Sequence, residues 1–172
     1  MLDSYFRLCK IAEVNQLLEA GLEGRKRLQK IAFLSKALGY PIGTSFVFHL
    51  HGPYSPGLAA QLSEVRDLGL LIGSSVEPYR LSQQGIEFVT NYLSEHPEEK
   101  PPLEILQKIS KEVGGRPTAS LELLATVFYL GGVGYDTRPE IMRKVEELKP
   151  RRFSPEEVEA AVELKGMLLG EK

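Results

Sequence analysis

Two prolines three positions apart, in Gly52-Pro53-Tyr54-Ser55-Pro56, constrain this chain more than any other feature, because neither can sit inside a regular helix. The segment must therefore be a break. Thr44 to Leu50, just before it, is short and rich in β-branched and aromatic residues, which favours a strand. Just after it, Ser55 suits an N-cap and Pro56 a first helical position, and Leu58, Leu62, Val65 and Leu68 form one apolar stripe that Gly69 closes. Leu70-Leu71-Ile72, a Gly73-Ser74-Ser75 turn and Pro78-Tyr79-Arg80-Leu81 then read as a hairpin. From Phe46 to Gly85 the order strand, turn, helix, hairpin is that of a winged helix-turn-helix.

The flanks extend this pattern. Leu8, Ile11, Val14, Leu17 and Leu18 recur at helical spacing from Ser4 to Ala20, with Gly21 and Gly24 at the exit. A second helix starts near Arg25, buries Leu28, Ile31, Ala32 and Leu38, and stops at Gly39 before Pro41. Ser82 to Leu93 continues helically through Ile86, Val89 and Leu93, with Gly85 as a tolerated flaw in its first turn. Residues 1–94 thus form the expected winged-helix domain, and the charged, proline-bearing stretch 95–102 reads as a linker. Residues 103–172 read as a C-terminal helical segment packed on the first domain: Leu103 to Val113, an almost continuously apolar Ser120 to Leu130, and two helices opened by the capping boxes Thr137-Arg138-Pro139-Glu140 and Ser154-Pro155-Glu156-Glu157. The expected class is mainly α with a small β component.

Composition excludes several classes. The chain has 172 residues, 42% of them hydrophobic and 26% charged, an ordinary globular balance with room for one good core. Leu121 to Val133, the longest apolar candidate, falls short of the roughly 18 residues needed to cross a bilayer and contains Glu122, so no membrane partner is expected. Cys9 is a lone cysteine and the N-terminus lacks a signal-like apolar run, which points to the cytoplasm. No Gly-x-Ser-x-Gly turn or phosphate-cradling Gly-x-x-x-x-Gly-Lys occurs, and Gly131-Gly132-Val133-Gly134 follows a helix rather than a strand. His49 and His51 alternate as strand residues do and would share a face, but two imidazoles do not make a metal site. No catalytic residue, cofactor or metal is expected.

Charge bears on the ligand. The net charge is −2, and the predicted recognition helix exposes Ala59, Ala60, Ser63, Glu64, Arg66 and Asp67, two acids against one base. In the wing Glu77 and Arg80 cancel. Surfaces that meet DNA phosphates are normally basic, so the fold and its charge disagree. Basicity gathers instead in Arg25, Lys26, Arg27 and Lys30, where Phe33 adds an aromatic outside the main stripe. Either a solvated helix start or a contact with phosphate or an acidic partner accounts for that cluster. Arg151-Arg152 is a second small basic pair, expected in a loop.

The run Arg27-Leu28-Gln29-Lys30-Ile31-Ala32-Phe33-Leu34, followed by His51-Gly52-Pro53-Tyr54-Ser55-Pro56, resembles the Panacea, or SocA-like antitoxin, family, with its Leu-Gln-Lys helix and Gly-Pro-x-x-Pro turn. It resembles the YwgA-like proteins more closely still, through Tyr79-Arg80-Leu81-Ser82 and Leu121 to Leu130 toward Phe153-Ser154. That resemblance implies a non-enzymatic regulatory protein, antitoxin-like or adaptor-like, and carries over no catalytic residue. The expectation is binding to a protein partner, with a DNA-binding transcriptional regulator as the alternative and a homodimer compatible with either. Candidate contacts are Arg25, Lys26, Arg27, Lys30, Phe33, His51, Tyr54, Ser63, Arg66 and Arg80.

Overall fold

A computed structural model describes residues 1–16 and 24–171, and within them the protein is mainly helical with two small antiparallel hairpins. Helix α1 (Leu2–Gln16) buries Phe6, Leu8, Cys9, Ile11, Ala12 and Val14. The expected continuation through Leu17 and Leu18 to Ala20, and the exit at Gly21, lie outside the described residues. Helix α2 (Gly24–Ala37) places Leu28, Ile31, Ala32 and Leu34 in the core.

The proline-bearing segment is a strand rather than the expected turn. Strand β1 (Val47–His49) pairs with β2 (Gly52–Tyr54), Val47 opposite Tyr54 and Phe48 opposite Pro53, so the chain reverses at Leu50-His51. A two-stranded sheet leaves each strand with an outer edge, where a proline without an N–H does no harm. Gly52 sits at φ +85°, and a Cβ there would press on Thr126 Oγ1 at 3.2 Å, so both conformation and space favour glycine.

Ser55 then caps helix α3 (Pro56–Asp67), its hydroxyl accepting from the Leu58 N–H at 3.1 Å. Leu58, Leu62 and Val65 are buried as the stripe requires, whereas Leu68, just past the helix, is 52% exposed. Strands β3 (Leu71–Ile72) and β4 (Arg80–Leu81) form the second hairpin with Leu71 opposite Leu81. The two hairpins are separate sheets: β1 pairs with β2 and not with β3 or β4.

Helix α4 (Gln83–Glu95) is capped by Ser82, whose hydroxyl accepts from Gly85 N–H at 2.9 Å. Gly85 is no flaw in that first turn. A Cβ there would collide with the Leu70 carbonyl oxygen, so its absence lets α4 close on the second hairpin.

The stretch expected as a linker is anchored. A single 3-10 turn at Pro97–Glu99 buries Glu99, which accepts two bonds from the Arg7 guanidinium, at 2.5 and 3.1 Å. Helices α5 (Leu103–Val113), α6 (Thr118–Gly132), α7 (Arg138–Leu148) and α8 (Pro155–Leu169) follow, and both capping boxes form at Thr137 and Ser154. One apolar core joins α1, α2 and α3 to residues of α5, α6 and α8; a second cluster lies among α6, α7 and α8. Helix α6 contributes to both, which accounts for its nearly continuous apolar sequence. Among the described residues no helix is long and apolar enough to cross a membrane.

Candidate functional site

Gln29 and Lys30 occupy the inner face of α2, each only 2% exposed, where polar side chains require partners. Both find them on the proline-bearing segment. The Gln29 amide donates to the Ser55 carbonyl at 2.9 Å and its oxygen accepts from the Ser55 N–H at 2.9 Å. Lys30 Nζ donates to the Pro53 carbonyl at 2.7 Å. The Leu-Gln-Lys and Gly-Pro-Tyr-Ser-Pro motifs are thus two halves of one clasp, with Leu28 in the core behind it. Burial pushes the Lys30 ammonium down to about 8, since the attraction of Glu122 is opposed by the charges of Lys149 and Lys26.

Behind the clasp lies a carboxylate. Glu122, on α6, is fully buried and is held by Lys149 Nζ at 2.6 Å, Arg152 Nη2 at 3.0 Å and Lys26 Nζ at 3.3 Å. Burial raises its affinity for a proton, but the Lys149 hydrogen bond and the charges of Lys149, Arg152 and Lys26 outweigh it and hold the group below the ordinary carboxylate value. Lys149 also donates to the Leu50 carbonyl at 3.0 Å, tying the turn of the first hairpin to the C-terminal helices. With Lys30 close behind, four cations surround one carboxylate, so the neighbourhood is electropositive.

That charge borders a recess of about 290 Å³ between the start of α2, the first hairpin and the turn of the second. Arg25, Lys26, Gln29 and Lys30 form one wall, His49, His51, Gly52 and Tyr54 another, and Ser75 closes the rim. Gly24 allows the close approach, because a Cβ there would collide with the Glu77 carbonyl oxygen. Partial desolvation, followed by the charge of Lys26, holds His51 below the ordinary histidine value; Arg152 and Lys149 add to this, and Glu122 opposes it. His49 and His51 both line the recess, although His51 lies in the turn and not on β1. Among the described residues no group of three His, Cys, Asp or Glu side chains stands ready for a metal.

The structure divides the candidate contacts. Arg25, Lys26, Lys30, His51 and Tyr54 converge on the recess. Arg27 is buried and donates to the carbonyls of Arg116 and Gly114 at 2.7 and 3.2 Å, beyond the C-terminal end of α5, where a cation is favourable. Phe33 packs edge-on against Phe46, ring centroids 5.3 Å apart, and tilts toward Tyr129. Ser63 donates to the Ala59 carbonyl, Arg66 lies 3.7 Å from Asp67, and Arg80 is exposed on β4, all away from the recess lining. Sequence reasoning passed over Glu122 and Lys149. The signal for Glu122 was available: an acid within a nearly continuous apolar helix must be paired.

No family model matches the chain. Among curated proteins, the uncharacterized protein YwgA of Bacillus subtilis (strain 168) is 28% identical over 148 residues, which span 81% of this chain and 83% of that one. The similarity covers most of both chains and supports a YwgA-like relationship.

Proposed function

We propose that the protein is a non-enzymatic regulatory protein of winged-helix type that engages an acidic protein partner through the recess face. One observation carries this reading: a cationic recess has exposed apolar residues on both flanks. Leu50, between the lining residues His49 and His51, is 78% exposed while its carbonyl is pinned by Lys149. Val76, next to Ser75, is 59% exposed. Exposed apolar side chains beside charge, one of them on a rigidly backed turn, form the kind of polar-rimmed surface that marks a protein interaction site. The resemblance to antitoxins of the Panacea family adds to this reading. The exposed face of α3 favours DNA less: Glu64 accepts from the Tyr5 hydroxyl at 3.1 Å, and Arg66 lies beside Asp67.

Capture from native lysate by the wild type, L50E and R25E tests this directly. The expected result is a protein retained by the wild type and reduced at least about tenfold by each exposed-residue variant, as loss of a hot spot or a charge contact implies. Equal retention by all three, or enrichment of a motif from random DNA duplexes with steeply salt-dependent affinity, would overturn it.

A further inference from the structure

Lys30 carries the observation that goes furthest. Its ammonium has three N–H donors, is 2% exposed and faces the recess, yet Pro53 O is its one hydrogen-bond acceptor among the described residues. A buried cation with donors to spare is costly unless an anion completes its shell. Glu122 does not do so: its carboxylate is taken by Lys149, Arg152 and Lys26 and does not line the recess. Arg25 and the two imidazoles add further donors on the same walls. The positive excess suits a doubly charged group better than a single carboxylate. The recess also has more room than a bare oxyanion needs, and the His49 and Tyr54 rings, with centroids 5.9 Å apart and planes inclined at 47°, line it with two aromatic faces.

The geometry points to a binding site for a phosphate monoester on a planar ring, the phosphoryl oxygens meeting Lys30, Lys26 and Arg25 and the ring lying against Tyr54 and His49. This inference rests on the recess proposed above as the partner face. The phosphoryl group belongs either to a free mononucleotide or to a phosphotyrosyl side chain.

Calorimetric titration of the isolated full chain separates these sources and needs no protein partner, so its failure is distinct from failure of the capture experiment. The probes are phenyl phosphate, inorganic phosphate, adenosine 5′-monophosphate, O-phosphotyrosine and phenol. Phenyl phosphate is expected to bind at least about tenfold more tightly than inorganic phosphate, and phenol not at all below about 1 mM. The tighter of the nucleotide and phosphotyrosine arms names the source. R25Q and K30M are each expected to weaken phenyl phosphate binding about tenfold or more, as loss of a charge-assisted hydrogen bond implies. If K30M does not fold, R25Q at an exposed position carries the test. Absence of binding by every phosphate probe, or wild-type affinity in the folded variants, would overturn the inference.

Discussion

Replacing Glu122 with Gln is expected to lower the unfolding free energy by about 3–5 kcal/mol, the range for breaking a buried ion pair while leaving the opposite charges in place. The substitution hardly changes volume, so the loss is electrostatic. Lys149, Arg152 and Lys26 would then face a neutral amide, and Lys30 would lose the attraction that now offsets its neighbours. Urea unfolding measures the change as a drop in midpoint at constant slope; an unchanged midpoint would contradict it.

Acid titration adds an independent arm. Glu122 binds its proton less readily in the folded than in the unfolded state. Its stabilisation is therefore complete above the unfolded-state value and disappears as pH falls through the lower folded-state value. The wild type should lose stability in that acid window by an amount that E122Q does not.

Gln29→Ala is expected to cost about 2–3 kcal/mol, because it removes the acceptor of a buried N–H. The Ser55 carbonyl keeps its bond from the Ala59 N–H at 3.1 Å, so most of the penalty falls on the Ser55 N–H and on the space vacated by the amide. Ser55 also caps α3, so the effect extends beyond the clasp. Faster hydrogen exchange at the Leu58 amide, which the Ser55 hydroxyl accepts, would show the cap loosening. Unaltered stability and exchange would mean that the clasp does not hold the hairpin against α2.

These two residues mark where sequence legibility ends. Helix α3 was readable, apart from Leu68 at its end, because its signals are local: Ser55, Pro56 and the buried residues Leu58, Leu62 and Val65 lie within one short segment. The two capping boxes were readable for the same reason. Gly52-Pro53-Tyr54 was misread as a turn because proline signals a break, whereas pairing with β1 leaves a free strand edge that tolerates it. Gly85 was misread because its reason, the Leu70 carbonyl, lies across a packing contact.

The site followed the same rule. Each half of the clasp was visible, but nothing local shows that Gln29 grips Ser55, 26 positions away. Arg25, Lys26 and Lys30 stood out as a basic cluster, while the carboxylate that pairs with Lys26 sits on α6 and is reached only through the fold. Arg27, in the same cluster, turned inward to α5 instead.

The central claim, that the face around the recess is where the protein binds, is tested most directly by hydrogen exchange on the chain with its captured partner bound. Protection is predicted at residues 24–30 and 47–54, around the Glu122-centred cations and the Leu50 tip. Protection confined to α3 and β4, with those two stretches exchanging as in the free protein, would contradict it.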